Sequence, residues 1–293
     1  MRAPKFLRKY PDALFSAVNG FFLTLVILSM LLPFVHIIAK SLSAEQFVAA
    51  NEIGFIPKGM HLGAYRFVLE NPTFATSFFN TLFVTAVGTA ISTLLTSVTG
   101  FAVARPEFKF GRFLMLLFVI TMFFSGGIIP IYLLVRNLGL LNTRMSLILP
   151  IAIGAWQLIL IRNFMMAVPE SLFESARMDG AGYARIAFQI YLPLAKSSVA
   201  TIAMFYAVGY WNDFFGALIY ITDRSLYPLQ LYLREIVTDQ TRIASTDIDA
   251  LLQTSPESVK GATIVAATLP ILVVYPWVQR YFVQGIMIGA VKG

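Results

Sequence analysis

The sequence contains no cysteine in 293 residues. Disulfides, thiolate metal sites and cysteine nucleophiles are therefore excluded. Histidine is almost as scarce. His36 sits at the end of an apolar run and His61 in a polar stretch, and neither has a companion for metal or nucleophilic work. No HExxH pattern occurs, and no GxxxxGKS/T loop of the kind that cradles nucleotide phosphates. Charge is also sparse: Asp, Glu, Lys and Arg make up 13% of the chain, against about 25% in soluble domains. Hydrophobic residues make up 58%, and the mean hydropathy is +0.75. These numbers describe an integral membrane protein without an evident catalytic set. No metal or cofactor is expected on it, and any ATP it depends on must be hydrolysed by a separate subunit.

Six apolar stretches stand out, at about 14–38, 78–104, 113–135, 145–166, 198–221 and 262–282. At 1.5 Å per residue each is long enough to span a hydrocarbon core of about 30 Å. The first is too long for a signal-peptide core and reads as an uncleaved span. The second is rich in Thr, Ser, Gly and Ala, and Gly88 and Ser92, four apart, predict a face for close helix packing. Gly126, Gly127 and Pro130 interrupt the third. Such breaks persist at membrane depth only where protein or a water-filled cavity satisfies the backbone. Pro270 and Pro276 predict kinks in the sixth. Short surface helices are expected at 62–69 and 226–236, the latter within an external segment at 222–260. Six spans place both termini on one side. That side holds 13 of the 22 Lys and Arg residues and the other holds 9, so the termini are expected in the cytoplasm. The net charge of +7 then belongs to the cytoplasmic membrane surface, with no nucleic-acid partner implied.

Between the fourth and fifth spans lies a polar island, 167–197, with ESARMDGAGYARIAFQIYLP at its centre. Pro169 suits a first helical position, and Glu170 favours the positive helix end. Gly180 and Gly182 flank Ala181 and predict a bend. A second helix is expected from Tyr183 to Pro193. Leu172, Phe173 and Ala176, at helical spacing, predict an apolar face offered to a partner. The island resembles the cytoplasmic coupling loop of permease subunits in bacterial ABC importers. That pattern is E-A-A, three residues, Gly, nine residues, Ile, one residue, Leu-Pro. Here Glu174, Ser175, Ala176, Gly180, Ile190, Leu192 and Pro193 stand at those spacings, and only Ser175 departs from it. Asp179 is similar to the sugar-importing branch.

The C-terminal GIMIGAVKG resembles the tail of the second permease in maltose-type importers. The resemblance implies an ATPase contact through Gly289, Val291, Lys292 and Gly293. LYPLQLYLREI and the sixth span look like the branch that imports complex or acidic oligosaccharides such as aldouronate and alginate fragments. What the family implies is an all-α type I importer fold of six transmembrane helices in the bacterial inner membrane. Its implied partners are a second homologous permease, two ATPase subunits carrying ATP and Mg, an external solute-binding protein and the oligosaccharide. For the sugar route, the fifth span offers Trp211, Asn212, Asp213, Phe214, Phe215 and Tyr220. The aromatic rings suit sugar faces and Asn212 suits hydroxyls. Equally, Trp211 and Tyr220 read as interfacial anchors and Asp213 as a structural cap. An ion-coupled secondary carrier built from inverted repeats is the alternative, but no convincing repeat is seen.

Overall fold

The computed structural model describes residues 10–238 and 255–290, with side-chain surroundings for 15–238, 255–273 and 276. Among the described residues the chain is helical, without strands. The helices are α1 (Tyr10–Ser41), α2 (Glu45–Ala49), α3 (Gly63–Glu70), α4 (Pro72–Ala104), α5 (Gly111–Phe123) and α6 (Ile128–Asn137). There follow α7 (Ala155–Met166), α8 (Glu170–Met178), α9 (Tyr183–Leu194), α10 (Lys196–Trp211), α11 (Phe215–Tyr220), α12 (Leu229–Thr238) and α13 (Pro256–Ala290). The chain divides into two compact units, residues 1–71 with 236–268 and residues 72–235 with 269–293.

In the first unit α1 turns large apolar side chains outward along its length, among them Phe15, Phe21, Leu25, Met30 and Phe34. This is the surface of a helix solvated by lipid. Only its C-terminal end is packed. There Ala39 joins Val48 and Ile53 in a small core, and the hydroxyls of Ser41 and Tyr65 lie 2.7 Å apart. Ser258 of α13 donates to the Lys40 carbonyl at 3.4 Å. Both histidines serve the local backbone: His36 Nδ1 lies 2.8 Å from the Gly54 carbonyl, and His61 Nδ1 accepts the Gly63 N–H at 3.1 Å.

The second unit is built around α4, with α7 and α10 packed along it. The small residues of α4 allow this close approach. A Cβ on Gly88 would lie 2.8 Å from the Tyr210 ring, and one on Gly100 would collide with Ile161 Cγ2. Hydroxyl pairs cross the same contact, Ser92 with Tyr210 and Thr96 with Tyr206, each at 2.6 Å. The predicted Gly88/Ser92 face is therefore the one that packs. The two tyrosines also serve irregular backbone, Tyr210 donating to the Ile148 carbonyl at 3.2 Å and Tyr206 accepting the Gly154 N–H at 2.8 Å. In lipid such groups need a partner inside the protein.

Three of the expected spans are interrupted, the third at the glycines that predicted a break and two others that were expected to be continuous. Between α5 and α6 the chain is extended at Phe124, and Gly127 has φ +86°. Residues 145–166 begin as two 3-10 turns and then bend by 52° into α7 at Gly154, so the single fourth helix is corrected to a broken one. The fifth is corrected likewise. α10 ends at Trp211, the Asn212 amide folds back to the Val208 carbonyl at 2.8 Å, and α11 starts afresh at Phe215. α1 and α4 are each long and apolar enough to cross a membrane alone, and two bent pairs qualify if each pair is one span. The short helices predicted at 62–69 and 226–236 are found as α3 and α12. Asn80, 2% exposed, fastens the segment before α12 by donating to the carbonyls of Ser225 at 2.8 Å and Tyr227 at 3.2 Å.

Candidate coupling site

The polar island folds as a helical hairpin, α8 and α9. α8 begins at Glu170, one residue later than Pro169 suggested. Its carboxylate stands in the first turn, where the partial positive charge of unpaired N–H groups favours it. α8 ends in a Schellman turn. The Gly180 N–H bonds the Arg177 carbonyl at 3.0 Å, and the Ala181 N–H reaches back to Ala176 at 2.9 Å. Gly180 has φ +78°, the left-handed conformation that this turn demands and that glycine adopts without strain. Gly182 has φ −75° and does not contribute to the reversal. Nothing lies within 4 Å of where a Gly180 Cβ would be, so backbone conformation alone requires glycine there.

Leu172 is exposed, but Phe173 and Ala176, the rest of the expected apolar face of α8, are not free, which corrects the expectation drawn from the helical spacing. Phe173 and Ala176 are 5% and 8% exposed. With Ala181, Ile186, Ala187 and Tyr191 they form one core with Phe101 and Ala104 at the end of α4 and Leu158, Ile161 and Met165 of α7. The side presented outward carries Leu172, Glu174, Ser175, Met178 and Asp179. Ser175 spends its hydroxyl on the Ser171 carbonyl at 2.8 Å, so a serine replaces alanine there at no cost in unpaired groups. Ile190 and Leu192 are half-buried against the same core and Pro193 is exposed. α9 widens into a π-helical turn at Ala187–Tyr191, just before Pro193, which has no N–H to donate four residues back. At Ala195 the chain swings by 85° into α10.

Arg105, the residue after α4, was legible in the sequence only as part of a basic loop. Its side chain is 4% exposed. Its guanidinium lies over three rings, 4.7 Å from Phe173, 4.8 Å from Tyr191 and 5.7 Å from Phe101. One terminal nitrogen, Nη1, donates to both carboxylate oxygens of Glu170 at 3.1 and 3.2 Å. The one advance signal was an aromatic residue, Phe101, one helical turn before an arginine at the end of a span.

The six residues proposed for a sugar route do not gather at one place. Asp213, Phe215 and Tyr220 line a cleft with Ser125, Gly127 and Ser146. Trp211 is buried, its ring edge-on to Phe78 at 6.2 Å, so it is a core residue and not an interfacial anchor. Phe214 is covered by Arg234 at 5.5 Å. Asp213 Oδ1 accepts the Gly216 N–H at 3.0 Å and caps α11. Gly289 stands at the end of α13, with no side-chain surroundings described, and Val291, Lys292 and Gly293 lie outside the described residues.

Apolar helices, bent spans and a helical hairpin packed on the end of α4 are features that suit the transmembrane subunit of a transporter. The chain belongs to the family of binding-protein-dependent transport system inner membrane components, whose model matches residues 12–288. Protein LplC of Bacillus subtilis (strain 168) is 43% identical over 281 residues, covering 95% of each chain. The polygalacturonan/rhamnogalacturonan transport system permease protein YtcP of the same organism is 40% identical over 285 residues, covering 96% of this chain and 99% of that one. A crystal structure of a bacterial ABC transporter involved in the import of the acidic polysaccharide alginate contains a chain of the same fold. The TM-score is 0.88 and the identity 33%, with 96% of this chain and 100% of that one covered. The protein is thus a non-catalytic permease subunit of an ABC sugar importer, in which a partner ATPase hydrolyses ATP.

Proposed function

We propose that this permease passes acidic oligosaccharides, fragments of uronate-containing polymers such as alginate, across the bacterial inner membrane. The observation that carries the reading is the match at 33% identity and TM-score 0.88 to the alginate importer chain. YtcP, named for polygalacturonan and rhamnogalacturonan transport, is a second relative whose name points to uronate-containing polymers. In this reading the chain pairs with a second, homologous permease. Two ATPases holding ATP and Mg dock on the hairpin through Leu172, Glu174, Ser175, Asp179 and their neighbours, and on the C-terminal tail. An external solute-binding protein delivers the sugar. Six spans, formed by α1, α4, the α5–α6 pair, the 3-10 turns with α7, α10 with α11, and α13, put both termini and the hairpin in the cytoplasm. Asp213 serves as a cap, since a carboxylate facing the route repels a uronate.

The test is uptake and ATP hydrolysis by the complex reconstituted in lipid vesicles, with binding protein supplied. Uronate oligomers should stimulate both, and neutral oligosaccharides of equal length should not. Stimulation by neutral sugars alone would overturn the acidic assignment while leaving the family intact.

A further inference from the structure

We infer that Arg105 is the positioning residue that couples the hairpin to the transmembrane bundle. It does so by locking the start of α8 to the end of α4. The inference rests on the coupling role proposed for the hairpin.

The argument begins with solvation. A guanidinium 4% exposed needs both charge neutralisation and a polarisable surround. Glu170 supplies the first, through two charge-assisted bonds from Nη1. Phe101, Phe173 and Tyr191 supply the second, each presenting a ring to the cation. The elements that meet here matter more than the energy. Phe101 belongs to α4, Glu170 and Phe173 to α8, and Tyr191 to α9. One side chain thus joins both arms of the hairpin to the helix that Ser92 and Thr96 tie to α10. Displacement of α8 by a docked subunit would pull on α4 through a short chain of packed and bonded groups. Packed and hydrogen-bonded groups between rigid elements are the kind of network that carries coupling between sites. Lysine cannot substitute, because a compact, strongly hydrated ammonium lacks the delocalised, weakly hydrated head that sits among three rings while bonding Glu170.

The experiment uses the assembled complex in lipid, comparing Glu170→Gln, Glu170→Asp and Arg105→Lys with the parent. Two quantities are read: sugar transported per ATP hydrolysed, and the distance between spin labels at Ser175 and Val98 in nucleotide-free and ATP-bound states. The parent should hold the distance between states. Glu170→Gln and Arg105→Lys should retain the bound ATPases and basal hydrolysis, and should lose on the order of tenfold in transport per ATP, within the range of typical coupling factors. In both, the label distance should broaden or become nucleotide-dependent, and Glu170→Asp should restore much of both readouts. Unchanged transport per ATP with an unchanged distance would overturn the inference. So would loss of assembly in Glu170→Gln that Glu170→Asp does not relieve, because that assigns a structural role only. The coupling reading itself fails differently: Gly180→Leu would then leave stimulated hydrolysis and uptake at parental levels.

Discussion

At Asp213 the carboxylate takes the Gly216 N–H and starts α11, although it also borders a cleft. An amide keeps that acceptor. Asp213→Asn is therefore expected to leave thermal stability and uptake near those of the parent. Asp213→Ala should cost about 1 kcal/mol, the usual loss for a removed cap. Thermal unfolding of the complex and uptake assays separate the cases. A changed substrate preference in Asp213→Asn with full stability would return Asp213 to the sugar route. Gly100 makes the opposite point. There a methyl group has no room against Ile161, and Gly100→Ala should destabilise the assembled complex by about 1–3 kcal/mol through overpacking. Unchanged melting would mean that α4 and α7 can part easily.

At the scale of elements, the hairpin holds its shape by a Schellman turn at one end and a shared core beneath. Gly180→Leu forces a branched side chain into left-handed backbone, at about 1–2 kcal/mol, with no contact at the Cβ to add to it. The relief is a shift of α8 against α9. The spans are untouched, so insertion and permease pairing should survive, while ATPase docking, stimulated hydrolysis and uptake fall together. Gly180→Asn should be milder, because asparagine tolerates positive φ. Equal defects in the two variants would show that the backbone conformation is not the cause. Glu174 is exposed on the outward face of α8. Glu174→Lys should weaken docking, and a reversed charge on the ATPase should partly restore it.

For the whole molecule, the topology is open to a direct test, since the absence of cysteine lets a single introduced thiol report without background. A cysteine at Ser175 should react with an impermeant reagent only from the cytoplasmic side. One at Ser245, which lies outside the described residues, should react only from the external side. Labelling of the Ser175 position in intact cells would overturn the six-span arrangement. Uptake should follow ATP and persist when ion gradients are collapsed. Collapse of transport with the gradient would favour the secondary carrier.

Membrane residence, the helical hairpin and the family were legible in the sequence because each rests on local pattern. Hydropathy averages over a span, and Glu174, Gly180, Ile190, Leu192 and Pro193 keep fixed spacings. The small residues of α4 were legible for the same reason, since helical periodicity alone puts Gly88 and Ser92 on one face. Which face of α8 is free was decided only by tertiary structure. Spacing shows that Phe173 and Ala176 lie on one side, but not that the end of α4 already covers that side. The break at Gly154 escaped notice because apolar residues flank it and the group that stabilises it, Tyr206, comes from another helix. At the second break the polar pair Asn212 and Asp213 was visible but also suited a sugar route, and the amide that folds back to Val208 shows only in the structure. Arg105 escaped for a related reason. A lone arginine after a span is usually solvated, and its burial here depends on Glu170, Phe173 and Tyr191, which are 65 or more positions away in the chain and brought together only by packing.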